Sequence, residues 1–336
     1  MKRLLRAARR STSSAARHIP ATATHNRSSP LWTSGMADAP THRHVEHVMG
    51  TVVTIVAAAR PAARCLDDAI DDVVKWLHLV DATFSTFRLD SAVSRLNRGE
   101  TTVAQCPADV ASVLALCDEI CAETGGYFTA RWNGGIDPTG LVKGWSIERA
   151  SAMLVAAGID SHAISGGGDV RVRGAAIGPR PWRIGIADPD RPDRCLAAVT
   201  RTNGAVATSG VRERGLHIVD PFTGRAADHW ASLTVIGPDL TRADAYATAA
   251  VAMGTDALDW LGSMPGWQGV AADQTGRVHL SGGAVQCSAE TALATTSSDT
   301  ISAEIDSYAI SSLARGVSGM VSVGENAVEF VVDTYR

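Results

Sequence analysis

Several features are missing from this 336-residue chain, and each absence removes a class of protein. No apolar run approaches the roughly 18 residues that span a bilayer as a helix, so no transmembrane segment is expected. The six cysteines, Cys65, Cys106, Cys117, Cys121, Cys195 and Cys287, contain no Cys-x-x-Cys pair and no zinc-ligand spacing. They read as reduced small hydrophobes, with Cys117 and Cys121 on one helical face and in the core. There is no basic excess: 31 Lys and Arg against 35 Asp and Glu leave a net charge of −4, and nucleic acid is not an expected partner. The glycine clusters have neither G-x-G-x-x-G nor Walker A spacing, and no repeat with a period of roughly 20–50 residues is present.

The N-terminus also lacks something, namely acid. Before Asp38 come Lys2, Arg3, Arg6, Arg9, Arg10, Arg17 and Arg27 among many Ser, Thr and Ala. The segment has no apolar core of the roughly 7–15 residues found in a secretory signal, and no cysteine placed to carry a lipid. An Arg- and Ser-rich, acid-poor run can read as an organelle transit peptide, but the favoured reading is plainer. Residues 1–44 are taken as a disordered basic extension, or as an over-long start with Met36 the true initiator, and the protein is expected to be cytoplasmic.

What is present is a globular composition, 45% apolar and 20% charged, with clear patterning from about Val48. MGTVVTIVAA predicts a strand. Leu66, Ala69, Ile70, Val73, Val74, Leu77 and Val80 recur at helical steps and predict an amphipathic helix. FSTFRLDSAVSRLNRGE reads as a polar connection with a short helix. A second helix starts at Pro107 and stops at Gly125-Gly126, and a third runs from about Lys143 to just before Gly158. Strand-like pieces follow (HAIS, DVRVRG, WRIGIAD, LAAVTRT, AVATS, HIVD, WASLTVIG), then a helix from Ala243 to Met253 and another near Leu258, then WQGVAAD and GRVHL. Without βαβ alternation, this order predicts an α+β fold of mainly antiparallel sheets flanked by helices. Residues 284–336, rich in Ser, Thr and Ala, are expected to be a C-terminal extension of unknown role, weakly ordered apart from a strand at VEFVVDTYR.

The segment LHIVDPFTG, followed by TRADAYATAA, concentrates the chemistry. Asp244 and Thr248 stand one turn apart on a helix, so a carboxylate and a hydroxyl share a face and can offer two oxygens to a hard cation. The competing reading makes the run from Thr241 to Asp244 a capping box, with Asp244 only satisfying backbone N–H groups. In IDPTGLVKG, Asp137 and Lys143 flank a turn, and a Lys at a helix start can pair with phosphate or simply be solvated. SGGGD at Ser165–Asp169 can let a backbone approach an anion, or be a plain turn. His217, alone in a short strand, reads as structural on its own, and His42, His44 and His47 fall in the expected flexible lead-in, where a metal site is not favoured.

Taken in order, these segments resemble the ApbE-type FAD:protein FMN transferases from about His47 to Leu280. The likeness rests on MGT at Met49–Thr51, FSTFRLDSAVSRLN, GGYF, the Asp137/Gly140/Lys143-Gly144 segment, GGGDVRVRG, AVATSG, HIVDPFTG and ADAYATA. It implies an ApbE-like, T-fold-like domain over residues 45–283. It further implies an enzyme that splits the FAD pyrophosphate, attaches FMN through a phosphoester to a Ser or Thr of a client protein, and releases AMP. By this likeness Met49, Phe87, Tyr127, Phe128, Thr129, Asp137, Lys143 and His217 line the FAD site. Gly140 (through its carbonyl), Asp244 and Thr248 hold Mg²⁺, and His217 or Asp244 is the base. Phe87 stands where the family commonly has Tyr and Thr129 where it commonly has Asp, which puts two contacts to the dinucleotide in doubt. An FAD pyrophosphatase giving free FMN and AMP, or a flavin-binding protein without turnover, are the alternatives.

Overall fold

The computed structural model describes residues 42–57, 63–132, 134–176, 179–211, 218–281, 320–324 and 327–332. The predicted first strand is a hairpin, β1 (His42–Val48) and β2 (Thr51–Ala57), turned at Met49-Gly50. Met49 (φ 54°) and Gly50 (φ 65°) are both left-handed, as a two-residue type I′ turn requires. His42, His44 and His47 therefore belong to a paired strand and not to a flexible lead-in, with His47 exposed.

Helix α1 (Ala63–Phe84) buries the stripe Ile70, Val73, Leu77, Val80 and Phe84. The Ser91 side chain, accepting from the Ser94 N–H, starts α2 (Ala92–Asn97), and Pro107 precedes α3 (Ala108–Glu123). A small hairpin, β3 (Arg131–Trp132) and β4 (Gly135–Ile136), leads to α4 (Thr139–Ala156). This helix begins a turn earlier than expected, because Asp137 Oδ1 accepts from the Thr139 N–H at 3.0 Å and its hydroxyl at 2.6 Å. Lys143 thus lies in the second turn.

Then come β5 (His162–Gly166), β6 (Asp169–Arg173), β7 (Trp182–Asp188), β8 (Arg191–Arg201), β9 (Asn203–Gly210) and β10 (Trp230–Gly237). They are followed by α5 (Leu240–Met253), α6 (Ala257–Ser263), β11 (Gln268–Asp273), β12 (Val278–Leu280), β13 (Met320–Gly324) and β14 (Ala327–Val332). β14 is the strand expected at VEFVVDTYR.

Eight strands form one antiparallel sheet in the order β1-β2-β5-β6-β9-β10-β11-β12. A second sheet, β13-β14-β7-β8, contains the one parallel pair among the described residues, β14 on β7. Alternation along the large sheet sends Val53, Ile55, Ile164, Ala207 and Val235 to the helices, while Val56, Ala163, Val206 and Ile236 pack with Trp182, Ile184 and Ile186 of the small sheet. The architecture is α+β in three layers: helices, large sheet, small sheet. Among the described residues no helix is long and apolar enough to cross a membrane.

Candidate active site

A cleft of about 610 Å³ opens at one end of the large sheet. Antiparallel pairing brings three pieces to that end: the Met49-Gly50 turn, the β5–β6 turn and the end of β9. The β5–β6 turn is SGGGD, tightened to Gly167-Gly168 at φ 52° and 84°, a conformation that glycine alone adopts freely. The N-terminal half of α4 and the second turn of α5 close the other side. Met49, Phe87, Tyr127, Phe128 and Thr129 line the cleft, and so do Asp137, Gly140, Lys143, Asp244 and Thr248. His217 lies outside the described residues, while Ile218, Val219 and Pro221 just after it also line the cleft.

A buried charge cluster lies deepest. Lys143 Nζ pairs with Asp169 Oδ2 and, at 3.1 Å, with Asp244 Oδ1. The second oxygen of Asp244 accepts the Gly144 N–H at 2.8 Å, and Asp169 Oδ1 accepts the Thr208 N–H at 3.2 Å. The Asp169 side chain is fully buried, Asp244 nearly so, and Lys143 keeps 18% exposure toward the cleft. Two carboxylates and one ammonium leave a net negative charge there. Asp169 was legible only as part of a glycine turn; the missed signal was the strand run Asp169, Arg171, Arg173, a polar residue at every second place.

The capping-box reading of Asp244 does not hold. Helix α5 starts at Leu240 and not at Ala243, and its N-cap is Asp239, whose Oδ1 accepts the Arg242 N–H at 2.9 Å. Asp244 is free of that duty and faces α4. Thr248, one turn on, donates to Asp244 O at 3.3 Å and lies 3.5 Å from Ser209 Oγ. Gly140 is beside it: a Cβ there would sit 3.7 Å from Thr248 Oγ1 and 3.3 Å from the Phe128 ring.

Toward the mouth, Phe87 is 94% exposed and Tyr127 meets Phe222 edge-on at 4.9 Å between centroids. Phe222 is presented by the DPFTG turn, in which Asp220 accepts from the Phe222 N–H and the Thr223 hydroxyl. The Thr223 hydrogen bond holds the exposed Asp220 carboxyl below its usual range. Phe128 is largely buried, and Thr129 uses its hydroxyl to brace Arg131, accepting from its N–H and donating to its carbonyl.

The donor set suits a hard cation. A carboxylate, a hydroxyl and a helix-start carbonyl are all oxygens, and Mg²⁺ keeps several waters, so a cage of protein carboxylates is not needed. Among the described residues no group of three or more His, Cys, Asp or Glu is arranged to hold a metal ion. Asp244 already has a partner on each oxygen, but a carboxylate has about four lone-pair sites.

Fold and cleft together define an α+β protein with one end of its large sheet opened into a cleft of about 610 Å³ beside a buried Asp–Lys–Asp cluster. The chain belongs to the ApbE family, whose model matches residues 49–133 and 130–270. The FAD:protein FMN transferase of Vibrio cholerae is 30% identical over 131 residues, 36% of this chain and 39% of that protein. The one of Rhodobacter capsulatus is 30% identical over 203 residues, 58% of this chain and 36% of that protein. The matched stretches thus span well under half the length of these curated relatives. Among solved structures, the ApbE protein of Thermotoga maritima (TM-score 0.65, 23% identity) covers 72% of this chain and 97% of its own. The flavin transferase ApbE of Vibrio cholerae (TM-score 0.63, 21% identity) covers 72% and 98%. These two likenesses establish the fold.

Proposed function

We propose that the chain transfers FMN from FAD to a Ser or Thr hydroxyl of a client protein, with Mg²⁺ bound and AMP as the leaving group. The observation that carries this reading is the juxtaposition of Gly140, Asp244 and Thr248 beside the Lys143 cluster in one cleft. The printed names of the relatives, FAD:protein FMN transferase, support it.

In this reading the Gly140 carbonyl, Asp244 and Thr248 hold Mg²⁺. The ion, when bound, supplies charge neutralisation on the non-bridging oxygens of the pyrophosphate. Lys143 holds Asp244 in place and adds positive charge beside the same oxygens. Phe87 and Tyr127 give flat apolar surfaces for the ring systems, with Met49, Phe128, Thr129 and Asp137 completing the FAD cleft. The client hydroxyl oxygen forms a bond to the FMN phosphorus, the bond from that phosphorus to the AMP oxygen breaks, and the hydroxyl proton passes to a base. A carboxylate that holds the cation and is also bonded to Lys143 and the Gly144 N–H is a weak base, so we assign the cation to Asp244 and the proton to His217.

The test is incubation with FAD, Mg²⁺ and a protein acceptor, read by mass spectrometry. Covalent FMN on the acceptor is expected. Free FMN and AMP alone would identify a pyrophosphatase, and unchanged FAD a binding protein. Asp244→Ala should lower transfer on the order of 100-fold or more while leaving the fold intact; full activity in that variant would sink the reading.

A further inference from the structure

Behind the cleft lies a second charged rung. Strand β6 points Asp169, Arg171 and Arg173 the same way, since strand side chains alternate with period two. Helix α4 meets them with Lys143, Glu148 and Ser151. Asp169 pairs with Lys143; Arg171 Nε lies 2.8 Å from Glu148 Oε2; Arg173 donates to Glu148 Oε1 at 3.1 Å and to Ser151 Oγ at 2.9 Å. Helix α5 is hooked to both rungs. Asp244 reaches Lys143 and Gly144, and one turn earlier the Leu240 N–H donates to Glu148 Oε2 at 2.9 Å. Leu240 is the first residue of α5, so its N–H has no partner inside the helix.

This second rung is deeply placed. The Arg171 side chain is 3% exposed and that of Glu148 20%. Burial pulls the Arg171 guanidinium below its usual range, and Glu148 offsets part of that pull. The rest of Arg171 is tied to Val172 O, Asn203 Oδ1 and Gly204 O. Neither Glu148, Arg171 nor Leu240 lines the cleft, so none of them can touch a ligand there. What they can do is fix where α5 stands on α4. A buried ion pair is a weak source of stability, because burial costs about as much as pairing returns. Its geometric effect is direct: Asp244 and Thr248 follow Leu240 by one and two turns on a rigid helix.

We infer that Glu148, with Arg171, is a positioning residue for the cation site. It anchors the first turn of α5 to α4 and thereby sets Asp244 and Thr248 opposite Gly140. The inference rests on the proposed Mg²⁺ role of those three residues. Outer-shell partners of metal ligands typically change affinity or activity about 10–100-fold when removed.

The experiment titrates the purified full chain with Mn²⁺, a spectroscopic stand-in for Mg²⁺, and follows free ion by electron paramagnetic resonance. It compares wild type, Asp244→Ala, Glu148→Gln and the pair Glu148→Leu with Arg171→Met. Glu148→Gln keeps an oxygen for the Leu240 N–H but removes the charge facing Arg171 and Arg173. The double variant removes both charges and that acceptor while leaving neither charge of the pair buried alone, and it carries the test if the Gln variant fails to fold. The expected result is Mn²⁺ binding about 10-fold weaker in both Glu148 variants, with the half-saturating Mg²⁺ for FMN transfer raised by a similar factor. KM for FAD at saturating Mg²⁺ should stay within about twofold, because these side chains touch nothing in the cleft. A role in stability alone would lower the melting temperature without moving the Mn²⁺ curve. Wild type and Asp244→Ala binding Mn²⁺ alike would overturn the metal reading and this inference with it. A weakened Asp244→Ala beside folded Glu148 variants that bind like wild type would overturn this inference alone.

Discussion

Met49 carries a conformation that its side chain disfavours. At φ 54° it occupies the left-handed region, which costs an L-residue with a Cβ about 1–2 kcal/mol, and type I′ turns ordinarily put Asn-Gly there. An apolar Met at that place is explained by where it points: into the cleft, with its sulfur 3.8 Å from the Ser146 hydroxyl. Strain of this kind persists where a ligand site is held at the expense of stability. Met49→Asn is therefore expected to raise stability by about 1 kcal/mol and the melting temperature by about 2–4 °C, while weakening FAD binding severalfold. Calorimetry and an FAD titration check it; a lower melting temperature, or unchanged FAD affinity, contradicts the account. The same residue shows why the hairpin was hidden in the sequence. Met in MGTVVTIVAA extends a β-rich run, and the Asn or Asp that usually precedes the turn glycine is absent. For Asp244, spacing alone placed it on one helix face with Thr248 but could not show what that face meets, because Lys143 and Gly144 are a hundred residues away in the chain. The order of motifs implied one shared site but not the contact itself.

At the scale of elements, helices were easier to read than strands, for a physical reason. Helix α1 has one wet face, so its apolar residues recur at helical steps. Strands β2, β9 and β10 are buried along most of their length on both sides, so apolar and small polar residues mix in them without a clean alternation. Sheet order and the second core were accordingly not visible in the sequence. The starts of α4 and α5 were missed because the side chains that fix them, Asp137 two residues before Thr139 and the N-cap Asp239, sit in Asp-Pro and Pro-Asp segments that read as loop. The contact that matters most between elements is that of α4 with α5 at Gly144. Two effects oppose each other there. By helix propensity alone, Gly144→Ala should stabilise by about 1 kcal/mol. Yet the added Cβ would lie 2.5 Å from Leu240 O and 2.7 Å from Asp244 Cβ, and neither is the loose end of a flexible side chain. Overpacking of this kind typically costs about 1–3 kcal/mol, so the clash prevails and the sign is destabilising. Urea unfolding should show that loss, and under the proposed function FMN transfer should fall as well, since the helix pushed away carries Asp244 and Thr248. A variant as stable as wild type would mean that α4 and α5 part more easily than their packing implies.

At the scale of the whole molecule, the large sheet is held between helices and small sheet, and the few buried titratable groups decide how acid acts on it. His162, at the start of β5, is fully buried; its Nδ1 lies 2.7 Å from Ile159 O and its Nε2 2.8 Å from the Ser151 hydroxyl of α4. It ties the helical layer to the sheet as a neutral ring. Burial is the main reason its pKa falls from 6.5 to about 4, and the nearby Arg173 and Arg171 push the same way. The sign follows from proton counting. Between these two values the unfolded chain binds a proton that the folded chain refuses, so acid favours unfolding. The stabilisation from a neutral His162 is fully present above pH 6.5 and is lost as pH falls to about 4. The interval amounts to about 3 kcal/mol, a large part of the roughly 5–15 kcal/mol by which a domain is stable. Carboxylates begin to protonate in the lower part of the same window, so the wild-type curve alone cannot assign the effect. His162→Gln isolates it: glutamine can hydrogen-bond to the same neighbours without titrating. The variant should be less stable than wild type near neutrality, and the gap should narrow by about 3 kcal/mol as pH approaches 4, read from urea midpoints across that range. Parallel curves for the two proteins would show that His162 takes up its proton without opening the contact between α4 and the sheet.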